Sequence, residues 1–227
     1  MSAPVIRVVE REATVYARLW RGAVFSMFLS PILYLAAMGL GLGELVDQHA
    51  GKVSGLTYLE FVAPGLLVAS AMQLASEESM WPVLGGVKWM RFFHGVVATP
   101  IRPGEVYAGF VVWTALRSAL ASTVFVAVAA ALGGVPSWWG VLAIPGAALC
   151  AAAFSALIAA FSITQETDQA FPMLMRLVVL PLFLFSGTFF PVSQLPHGLR
   201  VLAVFSPLWH GVELARAATT GRFDALP

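Results

Sequence analysis

Charge is scarce in this chain. Of its 227 residues only 11% are Asp, Glu, Lys or Arg, against 59% hydrophobic residues, and mean hydropathy is +0.83. An ordinary soluble domain carries roughly 25% charged residues, so a water-exposed globule of this size would lack the surface that keeps it dispersed. A bilayer removes the difficulty, because apolar side chains can then face outward. A basic excess is also missing: 13 Lys and Arg against 12 Asp and Glu leave a net charge of +1. That excludes a protein that holds nucleic acid on a broad basic surface, and no nucleic-acid partner is expected. With Cys150 the sole cysteine, no intrachain disulfide can form and no redox compartment is indicated; inside an Ala-rich run it reads as a small core residue. Patterns of soluble catalysis are absent as well. There is no G-x-x-x-x-G-K-[ST], no H-E-x-x-H and no G-x-S-x-G. His49, His94, His197 and His210 fall in separate predicted loops without metal-ligand spacing, and Asp47-x-His49 is too short a signal to use. No catalytic or metal site is expected.

Long apolar runs are what the chain has. Five stretches approach the ~20 residues a spanning helix needs: 23–43, 61–79, 106–132, 138–163 and 171–190. Arg7, Arg11, Arg18 and Arg21 precede the first, as in a secretory signal. Its apolar core exceeds the roughly 7–15 residues of a signal, however, and further spans follow. The expected fold is all-α, a polytopic membrane helix bundle, with residues 1–227 forming one transmembrane domain.

Short-loop Lys and Arg set orientation. The N-terminal segment carries four, and the loop between spans two and three carries Lys88, Arg91 and Arg102. The loop after span one has Lys52, and 133–137 has none. The N-terminus and the second loop are expected in the cytoplasm, and the chain in the plasma membrane. Five spans would leave the C-terminus outside, so a sixth span is expected beyond Pro227, with a five-span protein as the alternative.

At about 100° per residue, Arg7, Glu10, Arg11, Thr14, Arg18 and Arg21 share one arc, opposite Val5, Val8, Val9, Tyr16, Leu19 and Trp20. Residues 1–22 are expected to form an amphipathic helix in the cytoplasmic interface. Glu12 breaks the pattern and is expected either to contact another segment or to reach water. The second loop, 80–105, mixes Lys88, Trp89, Met90, Arg91, Phe92, Phe93 and His94, then turns through Thr99, Pro100 and Pro103. Each proline biases its predecessor away from helix, which predicts a short helix followed by a rigid turn. Such a segment suits either a partner surface or lipid headgroups. Ala115, Ala119 and Thr123, and likewise Ala147, Ala151, Ser155 and Ala159, recur every fourth residue as ridges for close helix packing.

Charges inside spans need a partner or a task. Arg117 lies mid-span, Glu77 and Glu78 close span two, and Arg176 lies in span five. Arg117 is expected either to pair with a carboxylate or to face a polar cavity or substrate. After span five, Ser186, Gly187, Thr188, Phe189, Phe190 and Pro191 lead into proline-broken apolar pieces, and residues 191–209 are expected to form short helices dipping into the outer leaflet. Glu213 and Arg216 can share one helix face.

Three groups of residues in order carry a resemblance: Phe61-Val62-Ala63-Pro64-Gly65-Leu66 with Ala69-Ser70-Ala71-Met72; Ala98-Thr99-Pro100 with Glu105; and Leu184 through Pro191 with Gln194-Leu195-Pro196, Pro207-Leu208 and Arg216. In these the chain resembles the permease subunits of type-2 ABC transporters, in the branch of nodulation-type lipo-oligosaccharide and daunorubicin-type drug exporters. The resemblance implies a six-span permease that works as a dimer, with a second copy or a homologous permease, on two separate ABC ATPase subunits. ATP and Mg would be bound by those partners, with no cofactor in this chain. It further implies that Lys88, Arg91, Phe92, Phe93, His94, Thr99 and Pro100 couple to the ATPase. Ser186, Gly187, Phe189, Phe190, Pro191, Glu213 and Arg216 would form an outer gate, with Arg117, Glu77, Glu78 and Arg176 as pathway or intramembrane-pair candidates. Membrane lipids are expected neighbours. The expected function is export of an amphipathic drug, lipid or lipid-linked saccharide. A non-ABC assembly or channel subunit, or a membrane-embedded lipid-modifying enzyme, are the alternatives.

Overall fold

The computed structural model describes residues 3–43, 51, 53 and 55–223. Asp47, His49 and Lys52 lie outside the described residues, as do the side chains of Leu19, Trp20 and Arg21.

Helix α1 spans Ala3–Leu35 and continues through a π-helical stretch, Ala36–Leu42, without a break. The interfacial helix expected over 1–22 and the span expected over 23–43 are therefore one rod. Its amphipathic arc holds in the described part: Val5 and Val8 are buried while Arg7, Arg11 and Arg18 are exposed. Val8 packs on Gly109, where a side-chain Cβ would lie 2.7 Å from that of Val8.

Helix α2 (Tyr58–Leu84, extended by a π turn, Gly85–Trp89) is the centre of the bundle. Thr57 caps it in a capping box: the Glu60 amide donates to Thr57 Oγ1 at 3.4 Å and the Thr57 amide to Glu60 Oε2 at 2.9 Å. Its apolar residues occupy every face, the pattern of a helix enclosed all round, and residues Phe61–Ala69 are buried without exception.

A six-residue helix, α3 (Phe92–Val97), follows a left-handed Arg91. Helix α4 (Pro103–Ala131) starts at Pro103, which fixes a first-turn φ and forces Arg102 into extended backbone. Its Glu105 Oε2 accepts from the Arg102 amide at 3.0 Å. A 3-10 turn, Trp138–Leu142, opens helix α5 (Ala143–Ile163). The ridge predicted on α5 is realised: Ala147, Ala151, Ser155 and Ala159 are all buried, and Ser79 Oγ donates to Ser155 Oγ at 2.9 Å across α2 and α5. The ridge predicted on α4 is displaced by one position. Thr114, Ser118 and Ser122 are the enclosed stripe, whereas Thr123 is exposed. Leu116 and Leu120 face outward there, as suits a lipid-facing surface.

Helix α6 (Ala170–Phe185) ends five residues before the expected limit, since Ser186 leaves helical geometry and Gly187 takes φ +82°. It reaches roughly 24 Å at 1.5 Å per residue, less than a ~30 Å hydrocarbon core. Among the described residues three helices are long and apolar enough to cross a membrane: Tyr58–Trp89, Pro103–Ala131 and Trp138–Ile163. After a 3-10 turn (Val192–Gln194), α7 (His197–Phe205) and α8 (Pro207–Thr220) form a hairpin hinged on Ser206, whose Oγ accepts from the Leu208 amide at 3.1 Å. The short-helix segment expected over 191–209 thus runs on to Thr220. Helix α8 begins deep, with Gly211 against Val68 and Cys150. It ends beside the start of α5, where the Ser137 amide donates to the Thr219 carbonyl at 3.0 Å. Gly221 closes it in the left-handed region.

Candidate functional site

The helix directions give the bundle two ends. One gathers the start of α1, the α2–α4 connection and the end of α5, and is called the basic end here; the other gathers the starts of α2 and α5 and the end of α8.

At the far end the first and third of the resembling groups converge on Arg216, while the second, Ala98–Pro100 with Glu105, lies at the basic end. Arg216 is 9% exposed, and its guanidinium lies over the Phe61 ring, 4.0 Å from the centroid. Nη1 pairs with Glu213 Oε1 at 2.5 Å, Nη2 donates to the Gly187 carbonyl at 2.6 Å, and Nε donates to the Phe61 carbonyl at 3.4 Å. Arginine suits this position because its planar fork offers five fixed donors and keeps its charge when buried. One side chain on α8 thereby ties the α2 start to the turn after α6. Gly65 completes the joint, since a Cβ there would sit 2.8 Å from the Thr188 Cα and carbonyl oxygen. Of the residues named for an outer gate, Gly187, Glu213 and Arg216 come together, with Ser186 buried next to Gly187. Phe189 and Phe190 instead pack back on α6, 5.5 Å from Phe183 and 6.3 Å from Phe185, and Pro191 starts the next turn in extended backbone. The Ser186 and Thr188 hydroxyls are buried without a hydrogen-bond partner among the described residues.

Midway along α4, Arg117 pairs with Glu78 of α2 and lies 4.8 Å from the Tyr16 ring centroid. Tyr16 meets Trp113 edge-on at 5.9 Å. This settles which candidate partners Arg117. Glu77, 100° round the helix from Glu78, is exposed, and so is Arg176 on α6; neither joins the pair.

At the basic end, Phe92 and Phe93 stack at 4.0 Å and turn inward against Gly86, whose missing side chain leaves room for both rings. The Arg11 guanidinium covers Phe92 at 3.9 Å, joining α1 to α3. Arg11 also pairs with Glu12; burial pushes the Glu12 carboxyl above the usual carboxylate range, with Arg11 opposing. Lys88 Nζ pairs with Glu166 at 2.6 Å across to the α5–α6 connection. His94, Thr99 and Pro100 are exposed, as is Arg91. The coupling residues implied by the resemblance leave out the most exposed apolar residues of this loop, Trp89 at 60% and Met90 at 71%. Both lie at the end of the π turn, over Gly85, with much of each side chain still open. Among the described residues no cluster of His, Cys, Asp or Glu could hold a metal. The three described histidines, His94, His197 and His210, are exposed and separate.

With this geometry in view, the comparisons fit. The ABC-2 type transporter family model matches residues 5–219. Nodulation protein J of Rhizobium leguminosarum bv. viciae is 31% identical, over 89% of this chain and 78% of that protein. Nodulation protein J of Bradyrhizobium diazoefficiens is 34% identical, over 87% and 75%. The inner membrane transport permease YadH of Escherichia coli is 22% identical, over 87% and 71%.

Proposed function

The chain belongs to the ABC-2 type transporter family as a membrane-embedded transport permease subunit that works with an ABC ATPase, and from that premise we propose that it exports an amphipathic drug, lipid or lipid-linked saccharide as one of two permeases on two ATPase subunits. The basic end faces the cytoplasm, the membrane is the plasma membrane, and ATP and Mg are held by the ATPases. The observation that carries this reading is the pairing of an anchored and an exposed layer at the basic end. Phe92 and Phe93 fasten α3 to the bundle, while Trp89 and Met90 beside it remain largely exposed. A push on that surface is passed to α2 through the π turn and to α1 through Arg11 over Phe92. ATP binding changes the population of bundle states only because the ATPases bind them unequally.

Export is read from the family resemblance alone; the charge distribution bears only on which end faces the cytoplasm. Reconstituting the permease with its ATPase in liposomes tests it. The expected result is substrate-stimulated ATP hydrolysis with movement away from the ATPase side, lost on replacing Arg91 and Phe93 with Ala. Movement toward the ATPase side, or hydrolysis indifferent to those replacements, contradicts the proposal.

A further inference from the structure

A cavity of about 350 Å³ lies at the basic end, between α3 and the facing ends of α2, α4 and α5. Val83, Val97, Val106, Phe110, Ala159 and Ile163 are among its walls, and Phe93 of α3 closes one side. Tyr107 also lines it, but its hydroxyl is spent on the Ala156 carbonyl at 2.5 Å. His94 is the other polar side chain, and it is exposed. Ordered water needs two to four polar partners, and these walls offer almost none. The surroundings are of opposite character. Arg102 immediately precedes Pro103 of the wall, and Arg91 caps α3. Both are exposed, and neither belongs to any of the four ion pairs among the described residues, which use Arg11, Lys88, Arg117 and Arg216. Nearby Glu166 is taken by Lys88, and Glu105 accepts from the Arg102 amide.

An apolar slot beside unneutralised cations matches one molecule abundant at that depth. We propose that the cavity holds an acyl chain of an anionic phospholipid from the leaflet at the basic end, with its phosphate against Arg91 and Arg102. The lipid fills the space beneath α3 and fastens the ATPase-facing segment to the bundle. The inference rests on the bundle crossing a bilayer and on nothing the ATPase does.

The test is native mass spectrometry of the purified chain after exchange into nanodiscs of equal phosphatidylglycerol and phosphatidylcholine. The expected result is one phosphatidylglycerol retained per chain, at least about five-fold over phosphatidylcholine. Arg91→Gln with Arg102→Gln should abolish that preference; both side chains are exposed, so folding is not at stake. Val97→Trp, at a 41% exposed position, should fill the slot and lose the retained lipid with both arginines intact, its melting curve confirming a folded chain. Should Val97→Trp misfold, Ile163→Trp, at a 43% exposed position, fills the same slot from α5 and is read in the same way. No retained lipid, equal retention of the two lipids, or undiminished phosphatidylglycerol in the folded slot-filling variant overturns the proposal.

Discussion

The two ends of the bundle use arginine in opposite ways. At the far end Arg216 is buried, and its donors go to Glu213, Gly187 and Phe61, so that three segments distant in sequence are held by one side chain. At the basic end Arg91 and Arg102 are exposed and outside every ion pair among the described residues, beside aromatic and thioether side chains that face outward. The far end spends its arginine on its own groups, though the Ser186 and Thr188 hydroxyls stay unpartnered among the described residues, whereas the basic end pairs Arg11 and Lys88 internally and leaves Arg91 and Arg102 outside any ion pair. The difference teaches that the far end holds the bundle together through buried polar contacts, while the basic end presents exposed cations and apolar side chains; the proposed coupling uses the latter.

That contrast can be broken in a graded way. Arg216→Met should have the largest effect on stability. It strands Glu213 and leaves two carbonyls without their donor, and removing one partner of a buried pair costs about 3–5 kcal/mol. Thermal unfolding in detergent should fall by roughly 10 °C, with Arg216→Lys restoring little because an ammonium cannot copy the fork; an unchanged melt would dissolve the contrast. Gly65→Ala comes next, and its sign is informative. An exposed helical Gly→Ala change gains up to about 1 kcal/mol, but here the new Cβ meets Thr188 backbone at 2.8 Å. Overpacking of about 1–3 kcal/mol should prevail, and a raised melting temperature would show that the joint has slack. Arg117→Gln and Glu78→Gln belong between the two ends. Each single change should destabilise, and the double change should cost less than their sum, with a coupling of about 0.5–3 kcal/mol by double-mutant cycle; strict additivity would mean that the pair contributes nothing. Trp89→Ala and Met90→Ala should change stability least, within about 0.5 kcal/mol as for surface positions.

How much of this was legible in the sequence depends on the range of the signal. The α5 ridge needs only a period of four and was readable, whereas the turn read through Pro103 and Glu105 hid a helix that starts at Pro103, three residues before the expected span. The α4 ridge was misplaced because Ala115, Ala119 and Thr123 are small as well as Thr114, Ser118 and Ser122, and size alone does not choose a face. Glu77 and Glu78 could not be separated without knowing which side of α2 meets α4. The join of Arg216 to Phe61 spans 155 residues, beyond any periodicity, and nothing in the local pattern of either segment points to the other. The rod-like α1 was hidden for a different reason. An arc of basic residues is the same whether a helix lies in an interface or stands with its apolar side on Gly109.

The account's central claim is that the basic end receives the ATPase while the far end only holds the bundle together. Its most direct test is co-purification of the ATPase with the tagged chain in mild detergent, comparing wild type, Trp89→Ala with Met90→Ala, and Arg216→Lys at a temperature where all three remain folded. The account predicts at least a tenfold loss of ATPase for the Trp89 and Met90 variant, about 1.4 kcal/mol, and near wild-type recovery for Arg216→Lys. Loss with Arg216→Lys and full recovery without Trp89 and Met90 would contradict it.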